Sequence, residues 1–88
     1  MDNLSSRLFD LYNSLGDYKA ESHPSAGIAP IYNALIDAAK QELSNDPVVQ
    51  AMVHTGQRGP MCRDSAGALR ANIWQILSAM GETKPTIG

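Results

Sequence analysis

A chain of 88 residues with a net charge of −2 at pH 7 has the size of one domain with one core. Its hydrophobic content of 43%, with eleven alanines against five aromatic residues, favours packed helices over a pleated sheet. A lone cysteine, Cys62, excludes an intramolecular disulfide, and Asp2, Arg7 and Asp10 break up any apolar leader, so the expectation is a cytoplasmic chain without a membrane span.

Residues 3–15 place Leu4, Leu8, Leu11 and Leu15 at i, i+4, i+7 and i+11, with Phe9 and Tyr12 widening the stripe, which predicts a first helix. Asp2 or Asn3 can cap its start and Gly16 can end it. Residues 17–24 read as a polar connection, with His23 pushed out of helical geometry by Pro24.

A second helix, 26–44, begins somewhere between positions 25 and 30, where Pro30 is tolerated in a first turn. Ile28, Tyr32, Leu35, Ile36, Ala39 and Leu43 share its core face, and Asn33, Asp37, Lys40 and Gln41 share its wet face. Asp46 followed by Pro47 restarts a helix, and Val48, Val49, Met52 and Val53 suggest a short third one over 47–55, stopped by Gly56. Residues 56–60 are dense in turn residues and read as a loop. The fourth helix covers 61–80, its first turn starting at Met61 or at Ser65, with Gly81 as its stop. Residues 82–88 lack a core pattern and read as a flexible tail to a single domain over 1–81. The fold expected is all-α, a compact bundle of four helices. Ser25-Ala26-Gly27 before Ile31-Tyr32-Asn33 resembles Ser65-Ala66-Gly67 before Ile73-Trp74-Gln75, but the offsets differ by two residues, which speaks against a duplication.

The fourth helix has more than one face to cover. At about 100° per residue, Cys62, Ala66, Leu69, Ile73, Ile76, Leu77 and Met80 fall on one arc. Arg63, Gly67, Arg70, Trp74 and Ser78 fall on a second line, and residues 71–81 carry no charge at all. A helix uncharged on every side is buried on more than one. Either its own neighbours cover the second line, with Trp74 as a core anchor, or that line is a partner-binding face. Trp and Arg are enriched at interface hot spots, Arg70 stands i+4 from Trp74 where it can stack on the indole, and Gly67, Ala71 and Ser78 are small enough for another helix to approach.

Charge divides unevenly: residues 1–53 hold three bases against seven acids, or −4, and residues 54–88 hold four bases against two acids, or +2. That imbalance can steer a partner or draw the two halves together. Arg58, Arg63 and Arg70 could form a stripe for nucleic acid, but three arginines in a chain of pI near 5.5 would release few counterions. His23, His54 and Cys62 offer three ligands where zinc needs about four, so no metal is expected, nor a cofactor. Cys62 on the apolar arc reads as a small buried hydrophobe, and His54 as a helix-end residue favouring the dipole. A Cys62–His54 thiol enzyme is a third reading, with nothing to orient it. Residues 56–60, carrying Arg58 ahead of a helix start, could hold an anion, but such glycines are ordinarily turn punctuation. No nucleophile elbow, Walker loop or dinucleotide fingerprint is present. The sequence therefore points to a non-catalytic protein-interaction module, with a second copy of itself among the candidate partners. Its contact residues would be Arg63, Gly67, Arg70, Trp74 and Ser78.

Overall fold

The structure is a computed structural model that describes residues 3–81; Asp2 as a cap and the tail 82–88 lie outside it. The leucine stripe forms α1 (Asn3–Leu15), and all four leucines are buried, as their shared helical face requires. The Gly16 amide ends the helix by donating back to the carbonyls of Tyr12 at 3.2 Å and Asn13 at 3.1 Å. The second helix, α2 (Ile28–Glu42), is shorter than the expected 26–44 at both ends and carries Pro30 in its first turn. Tyr32, Leu35, Ile36 and Ala39 are buried on its core face, joined by Ala29.

The third helix departs from the expected 47–55. Asp46 does cap it, its carboxylate accepting from the amides of Val48 at 3.0 Å and Val49 at 3.1 Å, with Pro47 in the first position. Yet α3 (Pro47–Gln50) is one turn long. Beyond it the chain is claimed by α2: Asn33 donates from Nδ2 to the Thr55 carbonyl at 3.0 Å and accepts from the Thr55 amide at 2.8 Å. This pair of bonds holds Thr55 against α2 in place of a second helical turn, and Val53, which looked like a core position, is 70% exposed.

The expected loop over 56–60 and the first turn of the expected 61–80 helix form a small antiparallel hairpin instead, so the chain is mostly helical with a two-stranded sheet and is not purely all-α. Gln57 pairs with Cys62 and Arg58 with Met61 across β1 (Gln57–Arg58) and β2 (Met61–Cys62). Gly59 has φ +60°, which a two-residue hairpin turn with glycine first requires and which an L side chain adopts only with strain. The fourth helix, α4 (Ala66–Ala79), therefore starts just after Ser65 and not at Met61. Gly81 lies just past its C-terminal cap with φ +81°, as a glycine stop should.

The hairpin and the start of α4 are laced to the α1–α2 connection. Cys62 donates its amide to the Pro24 carbonyl at 2.7 Å, Ala26 to Pro60 at 2.9 Å, Ala66 to Ser22 at 2.7 Å and Gly67 to Ala20 at 2.9 Å, and Ser25 forms a bridge with Met61. The Ala68 amide donates to the Ser65 hydroxyl at 3.3 Å. The first three amides of α4, which no helix can satisfy internally, thus all have acceptors. The repeated Ser-Ala-Gly has no structural echo, because Ser65 caps its helix directly while Ser25 lies in the bridge.

Buried residues of α1, α2, α3, β2 and α4 form one cluster, and α1 packs chiefly on α4. Within it the buried Tyr32 hydroxyl accepts from Asn72 Nδ2 of α4 at 2.9 Å, so its polar end is satisfied. Among the described residues no helix is long and apolar enough to cross a membrane. Burial, with Asp64 adding and the Asn72 hydrogen bond opposing, raises the Tyr32 hydroxyl above its ordinary 10.0. Burial and Asp64 likewise raise the Cys62 thiol above 9.0. Both groups hold their protons more tightly folded than unfolded, so the stability they contribute is whole below the unfolded values and is lost as pH rises through the folded ones. Urea unfolding followed from pH 7 to 11 should show stability level near neutrality and falling above about pH 9. Tyr32→Phe should lessen that fall; an alkaline gain in stability would contradict the burial of both groups.

Candidate functional site

The charge-free stretch of α4 leaves its second face to be covered by something other than ion pairs, and the end of α1 supplies the cover. Tyr12 lies in the last turn of α1, where its carbonyl shares the Gly16 amide with that of Asn13 and no basic residue of α1 stands nearby. Arg70 of α4 fills that role, its Nε donating to the Tyr12 carbonyl at 3.0 Å. A cation at a helix C-terminus is favoured by the dipole. The guanidinium carbon also lies 4.0 Å from the centroid of the Tyr12 ring, a cation–π contact worth about 0.5–2 kcal/mol. Trp74, one turn further along α4, sets its ring 6.0 Å from that of Tyr12 at 42°. Tyr12 thus joins Arg70 and Trp74, touching the guanidinium with its ring face and the indole in a tilted pair.

Beside the stack is a cleft of about 280 Å³ lined by Tyr12, Tyr18, Ala20, Gly67, Arg70 and Trp74 among others. Gly67 forms part of its floor for a steric reason. A Cβ there would stand 2.9 Å from the Ala20 carbonyl oxygen and 3.1 Å from the Ala20 Cβ. Arg70 and Trp74 are half-buried, and Tyr18 is 37% exposed at the rim.

Of the five residues expected on the face, Gly67, Arg70 and Trp74 come together at the cleft. Ser78 is exposed further along α4, and Arg63 is not on the helix at all. Three expectations change. Arg70 stacks on Tyr12 and not on Trp74, its Nε held toward α1 by the Tyr12 carbonyl, which accepts from it as well as from the Gly16 amide. Gly67 admits a loop of its own chain where another helix was expected. Trp74 packs against the core cluster yet stays partly open to the cleft, so its own neighbours cover it in part.

The three arginines lie in different segments, Arg58 on β1, Arg63 between β2 and α4, and Arg70 on α4. Arg58 is exposed on β1, and Arg63 turns its Nη2 to the His54 carbonyl at 3.0 Å with Asp64 3.7 Å away. Two of the three guanidiniums thus serve carbonyls of the chain itself. His54 does not end a helix; its Nε2 lies 2.7 Å from Asp37 Oδ1, on the α2 face expected to be wet. Cys62 is fully buried as expected, but on β2, with its thiol donating to the Ser25 carbonyl at 3.3 Å. The helix start expected to help residues 56–60 hold an anion comes later, at Ala66, and its amides are already occupied. Among the described residues no cluster of three His, Cys, Asp or Glu side chains could hold a metal.

Sequence reasoning missed Tyr12 and Tyr18 as site residues. Tyr12 reads as one more apolar residue on the α1 stripe. Tyr18 sits in a polar connection whose path depends on bonds to residues about forty positions away.

Gly67→Ala should cost about 1–3 kcal/mol in urea unfolding, because backbone must move to admit the methyl group. Gly27→Ala, where the new Cβ would meet only Ser25 Oγ at 3.7 Å, should cost nothing or stabilise slightly. Equal stability of Gly67→Ala and the parent chain would contradict the close approach. Set against known protein families, curated proteins and solved structures, the chain matches none of them.

Proposed function

We propose that this chain is a non-catalytic protein-interaction module that meets its partner, a second copy of itself included, at the face where α4 joins the end of α1. The observation that carries this reading is the half-buried Tyr12–Arg70–Trp74 stack beside an open cleft. Aromatic and arginine side chains give most binding energy where they stand rigid at the centre of a contact and lose little freedom on binding. Rigidity is in place before any partner arrives, since Arg70 is held by the carbonyl and the ring of Tyr12. Exposed Ala71 and Ser78 extend the face along α4 without charge. A single free thiol suits a reducing compartment, and the reading puts the module in the cytoplasm. Recognition of nucleic acid by Arg58, Arg63 and Arg70 has less support, because Arg63 is directed to the chain's own His54 carbonyl and to Asp64, and a chain of pI near 5.5 would release few counterions.

The test uses Ala71→Arg and Ser78→Arg, exposed helical positions at which a long cation blocks the face without touching the core. Sedimentation across a concentration series, with in-cell cross-linking for other partners, should show complexes of the parent chain weakened about tenfold or more, a loss of about 1.4 kcal/mol. The urea midpoint should stay unchanged. Association that survives both substitutions, or salt-sensitive binding to generic DNA in its place, would overturn the reading.

A further inference from the structure

We infer that the cleft at the Tyr12–Arg70–Trp74 stack is selective for a carboxylate carried next to an apolar side chain, an acidic segment of a protein partner, with Arg70 as the anion-binding group. This rests on the reading of that face as a docking surface and adds the chemistry of what docks there.

Among the described residues Arg70 is the only charged one lining the cleft. Among the described residues it has no acidic partner, the ion pairs being His54 with Asp37 and Arg63 with Asp64. Its orientation is nevertheless fixed, by the Nε bond to the Tyr12 carbonyl and by the Tyr12 ring beneath Cζ. That leaves the Nη1 and Nη2 edge, for which no described residue provides a hydrogen bond. Gly16 makes room for this edge, since a Cβ there would come within 3.1 Å of Nη2. A guanidinium held in one plane with two forked donors unused matches the two oxygens of a carboxylate. Half-burial strengthens such a pair by removing part of the water that would screen it.

The rest of the cleft specifies the neighbour of that carboxylate. Trp74, Tyr18, Ala20 and Ala71 offer aromatic and methyl surface and no further charge. A volume of about 280 Å³ is at or below the small end of the roughly 300–1,000 Å³ range of small-molecule pockets. It therefore suits a pair of side chains better than a nucleotide or a cofactor. Phosphate is the less suited anion. One cation faces the cleft, and the α4 amides that would otherwise cradle a phosphate already donate to Ser22, Ala20 and Ser65.

The experiment titrates the full ¹⁵N-labelled chain with three probes, acetyl-Glu-Leu-amide, its uncharged analogue acetyl-Gln-Leu-amide and inorganic phosphate. The Trp74 indole N–H and the Arg70 Nε–H signals are followed. The glutamate probe should shift both signals saturably, the glutamine probe should bind about tenfold more weakly, and phosphate should leave Trp74 unmoved. Arg70→Lys, which keeps the charge but not the fork, should weaken the glutamate probe several-fold. Equal binding of the two peptides overturns the carboxylate assignment while leaving the docking face in place. Phosphate reproducing the shifts, or neither peptide shifting Trp74, also overturns it. Failure of the docking face itself is read separately, from association that ignores Ala71→Arg.

Discussion

The structure depends on the backbone hydrogen bonds that join residues 20–26 to residues 60–67. Helix α4 begins with amides that need acceptors, and the carbonyls of Ser22 and Ala20 supply two of them at 2.7 and 2.9 Å. A helix start fixed in this way has a set rotation and a set distance from α1. From that follow the contact of Gly67 with Ala20, the reach of Arg70 to the Tyr12 carbonyl, and the position of Trp74 against the Tyr12 ring. The cleft is what remains between the α1–α2 connection and α4 once those contacts are made. The same bonds hold the hairpin, through Pro24 and Pro60, and bury Cys62 on it.

The three longer helices were legible in the sequence because burial itself sets their pattern. Leu4, Leu8, Leu11 and Leu15, or Leu69, Ile73, Ile76 and Leu77, recur at helical spacing since one face of each helix meets the core. The hairpin was not legible, since strands of two residues are too short to show a period and the bonds that dock the hairpin run to residues 24–26, more than thirty positions earlier. A run such as Val48, Val49, Met52 and Val53 satisfies a helical template while Asn33 captures Thr55 and ends the regular structure early. Local pattern cannot weigh a competing long-range hydrogen bond. The same limit explains the candidate site. The absence of charge over residues 71–81 flagged a second face on α4, but which group Arg70 would stack on was decided by a carbonyl in the last turn of a different helix.

Arg70 therefore has two roles that draw on different parts of one side chain. Its Nε and its flat face hold α1 to α4, and among the described residues none accepts a hydrogen bond from its Nη edge, the edge proposed for binding. The protein's own cohesion thus sets the geometry of the surface proposed for binding. A partner would meet side chains already in place, which favours slow dissociation over a rearrangement on contact. The division of charge agrees with this, since the positive share of the chain lies in the half that contributes α4.

All of this requires that the start of α4 be anchored as tightly as the core. Native-state hydrogen exchange at the amides of Cys62, Ala66 and Gly67 measures that anchoring directly. If the account holds, these three amides exchange only through openings close in free energy to global unfolding, like those of the core helices. Exchange at rates typical of an exposed loop would show that the lacing is not maintained, and the preformed cleft would fall with it.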